Sequence, residues 1–328
     1  MPESRSMTLH GHRLSYTDSS AHRGSDTTPD TDRGPDRDSA NDPSPQTAAI
    51  LLVHGLMSSS RTWADQAARL EGRYRAIAPD LFGHGESAKP PGDYSLGSHA
   101  ATLRDLIDGL DIAKVTVVGH SLGGGVALQF AYLFPDRVEA LVLVSSGGLG
   151  KEVNPLLRAA TLPGSEIVLP LVASSWVHDV GDTALRYWGR LGLPPISPSS
   201  DEAWRNLSTL ADGATRAAFL ATSRSVINVG GQTVAARDRL PGLRSRPSLL
   251  IWGARDRIVP SSHLENARAE LPDAQVEIFD RAGHFPHLDQ PDRFATVLSE
   301  FLDGRVRTAG SHVAEPATAT PAPHRADR

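Results

Sequence analysis

Val115-Thr116-Val117-Val118-Gly119-His120-Ser121-Leu122-Gly123-Gly124 is the stretch on which the fold of this chain turns. Its β-branched start reads as a buried strand and the residues after Ser121 read as a helix, so the serine falls where a strand turns sharply into a helix. Side chains two positions either side of the serine would collide at so tight a turn, and Gly119 and Gly123 remove them. Ser121 is then held out at a helix start, where backbone N–H groups and the positive helix end favour a developing anion. Gly-x-Ser-x-Gly alone is most often only a glycine-rich turn. The flanking strand and helix make it a nucleophile elbow.

A serine hydroxyl is a poor nucleophile at neutral pH, so such a site needs a base and a group that orients the base. Downstream, Asp256 follows the apolar run ending Ile251-Trp252-Gly253, and His284 follows the run ending Ile278-Phe279. Serine, aspartate and histidine thus each come just past a different strand, in the chain order of this triad type. Taken alone, Asp256 is as readily a turn residue. His287, three residues on, is a rival base, but it falls among Pro286, Leu288, Asp289 and Pro291 at a helix entry, whereas Gly283 gives His284 a close approach. An acid placed one strand earlier would follow Val142-Leu143-Val144-Ser145, where the chain reads Ser146-Gly147-Gly148 without a carboxylate. Two N–H donors are also needed for the oxyanion. The N–H of Leu122 is one candidate, and the N–H of Leu56, in His54-Gly55-Leu56-Met57 after the strand Ile50 to Val53, is the other.

Asp80-Leu81-Phe82-Gly83-His84-Gly85-Glu86-Ser87 has the look of a metal or phosphate loop. It offers one histidine without a partner at ligand spacing and lacks the Lys and Ser/Thr of a phosphate cradle, so it is read as cleft rim, and no metal or cofactor is expected. The chain has 328 residues, 39% of them hydrophobic, with a formal net charge of -5 and no cysteine. That excludes disulfides and thiol chemistry and supplies no basic field for nucleic acid. A small-molecule substrate is expected, with oligomeric state unread. Neither a signal peptide nor a membrane span is evident, so a cytoplasmic location is expected.

Apolar strands alternate with helical patterns, which predicts a parallel sheet covered on both faces. Residues 1–17 read as N-terminal strands of the core and 18–47, rich in Asp, Ser, Thr and Pro, as a disordered insertion. Residues 48–146 form the first part of the core, 147–243 a helical cap, 244–304 the second part, and 305–328 a disordered tail. Within 147–243 no buried strand is expected; helices are expected at 183–191, 201–210 and 215–226, the second capped by Ser200. Trp176, Trp188, Trp204 and the run Ile167 to Val172 are expected to form the cap's own small core, more than a wall for substrate.

With these motifs placed, the chain from Met7 to Asp303 resembles the α/β-hydrolase superfamily. Its Asp80-to-Ser87 and Gly119-to-Gly124 stretches are similar to those of the esterase, C–C hydrolase and haloperoxidase branches. The resemblance implies an α/β fold with a mostly parallel eight-stranded sheet, an inserted helical cap and a Ser-His-Asp triad. It extends at Gly147-Gly148-Leu149-Gly150-Lys151-Glu152-Val153-Asn154 to a group of actinobacterial hydrolases of unassigned substrate. Ser121 sets the chain apart from the dehalogenases and epoxide hydrolases, which carry aspartate there, and Leu122 replaces the dehalogenase tryptophan. Phe285 stands where ring-cleavage C–C hydrolases usually have tryptophan. A serine hydrolase of a small, apolar ester is therefore expected, with C–C bond hydrolysis of a vinylogous diketone, or ligand binding with little turnover, as alternatives.

Overall fold

The structure is a computed structural model, and it describes residues 4–19, 48–191, 197–234, 240 and 242–310. The expected insertion and most of the expected tail lie outside these residues. Eight strands form one sheet: β1 (Ser4–Leu9), β2 (His12–Asp18), β3 (Ala49–Val53), β4 (Arg75–Pro79), β5 (Val115–His120), β6 (Val138–Val144), β9 (Ser248–Gly253) and β10 (Gln275–Phe279). Their order is β1-β2-β4-β3-β5-β6-β9-β10. β1 pairs antiparallel with β2 and β2 with β4, and every other pairing is parallel.

The sequence of β3 shows why the sheet is covered on both sides. Ala49, Leu51 and Val53 pack into one apolar cluster, Ile50 and Leu52 into the other, and all are buried. Successive strand side chains point to opposite faces, so an unbroken apolar run requires helices on both. Helices α2 (Leu96–Gly109), α3 (Leu122–Leu133) and α9 (His263–Glu270) cover the first face. Helices α1 (Ala64–Leu70) and α11 (Pro291–Gly310) cover the second, through Leu70, Phe294, Leu298 and Phe301. Each such side chain contributes on the order of 1.5–3 kcal/mol by leaving water. β10 is an edge strand, and its Ile278 is 44% exposed.

Between β6 and β9 the chain forms helices α4 (Pro155–Ala160), α5 (Ser165–Val172), α6 (Ser175–Arg190), α7 (Pro198–Ser208) and α8 (Gly213–Val226). Three expectations are corrected here. A short hairpin, β7 (Ile227–Asn228) with β8 (Gly231–Gln232), stands where no strand was expected; its two-residue strands are too short to show alternation. Ser197, not Ser200, caps α7: its hydroxyl accepts from the Ser200 N–H, because Pro198 takes the first helical position. Trp176 is 65% exposed, Ile167 74% and Leu171 67%, so these side chains form neither a core nor a cleft wall. The cluster inside the insert is Ala173, Leu210, Phe219 and Leu220, and of the expected run Leu169 packs against it. Trp204 packs on His178 and donates to Asp182, and the side chain of Trp188 lies outside those described. A fourth correction falls at the end of the core, where α11 runs on to Gly310, since Arg305-Val306-Arg307-Thr308-Ala309 holds no breaker. A short helix α10 (Pro286–Asp289) precedes it.

Candidate active site

Ser121 sits between β5 and α3 with φ 54° and ψ −116°, a region that non-glycine residues rarely enter. The turn is held from three sides. The Ser121 N–H donates to Val144 O of β6 at 3.0 Å, and the Ser121 carbonyl accepts from the N–H groups of Gly124 (3.0 Å) and Gly147 (2.9 Å). The flanking glycines have a visible cause: a Cβ on Gly119 would run into the Gly123 carbonyl, and one on Gly123 into the carbonyls of Val53 and His54. Closure of the elbow thus depends on backbone packing directly against backbone.

Asp256 and His284 arrive on neighbouring strands, β9 and β10, whose ends are in register through Phe279 and Gly253. His284 Nδ1 lies 2.8 Å from Asp256 Oδ2, with both side chains buried. Asp256 Oδ1 accepts from the N–H groups of Ile258 (2.8 Å) and Val259 (3.0 Å), so both carboxylate oxygens have hydrogen-bond partners. That network assigns the proton of His284 to Nδ1 and leaves Nε2 as an acceptor. Among the described residues, however, no hydrogen bond joins His284 to Ser121. The two are instead linked through His120, whose Nε2 donates to the His284 carbonyl at 2.8 Å.

His287 lies elsewhere. Its ring stacks on Trp63 at 4.3 Å and its Nε2 meets Thr62 Oγ1 at 3.0 Å. Burial pushes its pKa down to about 3, so it stays neutral inside the core. His54, at the end of β3, is likewise held neutral by burial. It donates from Nδ1 to Gly55 O (2.8 Å) and accepts at Nε2 from the Leu81 N–H (3.0 Å), which ties two loops together. A Cβ on Gly55 would stand 3.1 Å from Ser121 Cβ, so the loop carrying Leu56 lies against the serine. Leu122 N is at the first turn of α3, and among the described residues neither it nor Leu56 N donates to the chain's own carbonyls.

Leu56, Ser121 and Leu122 line a cleft together with Leu96, Val153, Leu157, Val226, Val234 and Ile258. Among the described residues, the polar side chains that line it are Ser121 and Gln232 and none is charged. Met57 turns instead toward the insert's apolar cluster. The Asp80 loop is a brace: Asp80 accepts from the N–H groups of Ser60 (2.7 Å) and Glu86 (2.8 Å).

Two further residues hold His284 and escape a reading of the sequence alone. Asp289 Oδ2 accepts from Gly283 N–H at 2.7 Å and also from Ser199 Oγ, while Ser199 Oγ accepts from Phe285 N–H at 3.1 Å. The insert therefore grips the backbone directly after the histidine through Ser199, and the backbone before it through Asp289. Nothing local to Ser199 signals this, because its partners are some 90 residues away; Asp289 offers a weak signal as an acid just past His284.

A doubly covered, mostly parallel sheet with serine, acid and histidine beyond its carboxyl ends defines the class. Residues 50–297 match the alpha/beta hydrolase family, and the chain belongs to that family. It is 43% identical over 256 residues to an uncharacterized protein of Mycobacterium tuberculosis, covering 78% of this chain and 75% of that one. It is 29% identical over 263 residues to a 2-hydroxy-6-oxononadienedioate/2-hydroxy-6-oxononatrienedioate hydrolase of Comamonas testosteroni, covering 77% of this chain and 87% of that one. Among solved structures it resembles a thermophilic esterase from Thermogutta terrifontis, with TM-score 0.64, 23% identity, and 92% and 99% of the two chains covered. Among the described residues no helix is long and apolar enough to cross a membrane.

Proposed function

We propose that this chain is a serine hydrolase that cleaves a small, largely apolar, neutral ester through an acyl-enzyme on Ser121. The observation that carries the reading is the engaged pair of His284 Nδ1 and Asp256, set beyond β9 and β10, which lie on the far side of β6 from the strand β5 that presents Ser121. His284 Nε2 takes the proton as Ser121 Oγ bonds to the ester carbonyl carbon, and Asp256 steadies the cation that forms. The N–H groups of Leu56 and Leu122 receive the oxyanion. Collapse of the tetrahedral intermediate breaks the bond to the alcohol oxygen, which leaves with the proton from His284. Water then adds to the acyl-enzyme through the same base, releasing the acid and restoring Ser121. Residues 147–243 act as the cap that sets which acyl groups enter.

The second reading is hydrolysis of a C–C bond in a vinylogous diketone, as the name of the Comamonas relative suggests. A dioate substrate of that kind needs cations, and among the described residues those lining the cleft carry none. A series of p-nitrophenyl acyl esters of rising chain length tests the choice, with Ser121→Ala as blank. The expected result is turnover strongest for short chains and absent in the variant. No ester turnover, beside turnover of a vinylogous diketone, would overturn it in favour of the second reading. Saturable binding without product release would point to a receptor.

A further inference from the structure

Helix α6 is amphipathic, and its apolar side is turned to water. Its inward side rests on α7: buried His178 packs on the Trp204 ring with centroids 4.7 Å apart, Asp182 accepts from Trp204 Nε1 at 2.8 Å, and a Cβ on Gly181 would run into the same ring. Those contacts fix the rotation of the helix about its axis. At about 100° per residue, Trp176, Val180 and Tyr187 then fall on the opposite side, in line with Leu191 just past the helix end. Each of the four is more than half exposed, so among the described residues nothing lies over the stripe. An amphipathic helix of a globular protein ordinarily buries that side.

The stripe is complementary to itself. Trp176, Val180, Tyr187 and Leu191 are spaced four, seven and four residues apart, a pattern that reads the same from either end. Two copies of α6 laid antiparallel about a twofold axis beside Thr183 and Ala184 bring Trp176 onto Leu191 and Val180 onto Tyr187, and the axis repeats each contact in reverse. The charges obey the same symmetry. Asp179, Arg186 and Arg190 stand on one flank of the stripe, and the axis carries Asp179 to a level between Arg186 and Arg190 of the second copy. Within one chain none of the three has an ion partner among the described residues: Arg186 donates to Thr183 Oγ1 at 3.0 Å, and Arg190 lies over the Tyr187 ring at 5.5 Å.

The preceding helix α5 adds Ile167, Val168 and Leu171, also more than half exposed. Seven such side chains, at roughly 100 Å² each, come close to the roughly 800 Å² that one partner buries in a standard interface. A lipid surface fits less well, since a helix lying on one carries an excess of cations, whereas α6 sets Asp179 and Asp182 against Arg186 and Arg190. We infer that α6 is the interface of a twofold dimer whose partner is a second copy of this chain. The inference is independent of the reading of Ser121.

Sedimentation velocity on the full chain at micromolar concentration tests it, and the expected species has twice the mass of one chain. Val180→Glu, in the middle of the stripe, should raise the dissociation constant about thirtyfold or more. Asp179→Arg, and separately the pair Arg186→Asp with Arg190→Asp, should each leave single chains, because like charges then meet across the axis. Mixed in equal amounts, these two variants should recover the double mass, since each supplies the charge that the other lacks. Circular dichroism shows which variants are folded; if Val180→Glu is not, the charge reversals and their mixture decide, and the converse holds. A native chain that sediments as one copy would overturn the inference. So would a native dimer that survives Val180→Glu or either reversal in folded form, or a mixture of the two reversals that stays single. A single-copy chain that co-sediments with phosphatidylcholine vesicles, and that Val180→Glu releases, would overturn it by giving the face to lipid.

Discussion

Ser121 pays for its exposure with a strained backbone, φ 54° being a conformation that costs a non-glycine residue on the order of 1–3 kcal/mol. The strain is tolerated because Val144, Gly124 and Gly147 fix the turn from three sides. At this scale the charge of Asp256 is the most informative test. Asp256→Asn keeps the shape but removes the charge that steadies a cationic His284, and an amide at that position can present the wrong tautomer to the ring. Steady-state kinetics should find kcat lowered by about 10³- to 10⁴-fold with KM changed little. A loss under tenfold would assign Asp256 to the turn alone. That Ser121, Asp256 and His284 each stand past a strand end was legible in the sequence, because each follows an apolar run that ends in a glycine- or aspartate-rich loop. What distinguishes His284 from His287 physically, contact with Asp256 against stacking on Trp63, depends on contacts between distant segments.

The elements place these residues, and β9 shows how. Trp252, fully buried, donates from Nε1 to Val259 O at 3.0 Å and so ties the strand to the far side of the Asp256 loop. Trp252→Phe keeps most of the apolar bulk and leaves a buried carbonyl unpaired. Denaturant unfolding should record a loss of about 1–3 kcal/mol, with activity lowered less than in Asp256→Asn. Unchanged stability would show that water satisfies Val259. A similar brace acts from the insert: Ser199→Ala removes the acceptor of Phe285 N–H and one donor to Asp289. It should raise KM and lower kcat together, by about threefold to tenfold, because it loosens the loop without touching the chemistry. The strands of the sheet and the helices α1, α2 and α3 were readable from periodicity. The hairpin at 227–232, the capping of α7 and the Ser199 bridge were not: the first is too short for a period, and the others depend on which serine reaches which partner in three dimensions.

Over the whole molecule, the unusual feature is a set of histidines buried without charge. Burial holds His54, His84 and His120 below their ordinary pKa of 6.5, moves His99 to about 4 and His287 to about 3. The unfolded chain protonates these rings near pH 6.5 while the folded chain does so only at lower pH, about 4 for His99 and about 3 for His287, so unfolding takes up protons in that window. Stability should therefore be flat above about pH 7 and fall as the pH drops from 6.5 toward 4, by up to about 1.4 kcal/mol per pH unit for each of His99 and His287. Denaturant titrations at pH 7.5 and pH 5.5 check this, and equal stability at both would contradict it. The same histidines lie around the elbow and its supporting loops, so their neutrality also keeps like charge away from His284.

The claim that governs the rest is that Ser121 is an activated nucleophile. Intact-mass measurement after exposure to a fluorophosphonate probe tests it most directly. The folded native chain should gain one probe adduct, mapped to Ser121; Ser121→Ala should gain none, and His284→Ala should react far more slowly. A folded native chain that stays unlabelled, or a Ser121→Ala variant labelled as fast as the native one, would contradict the account.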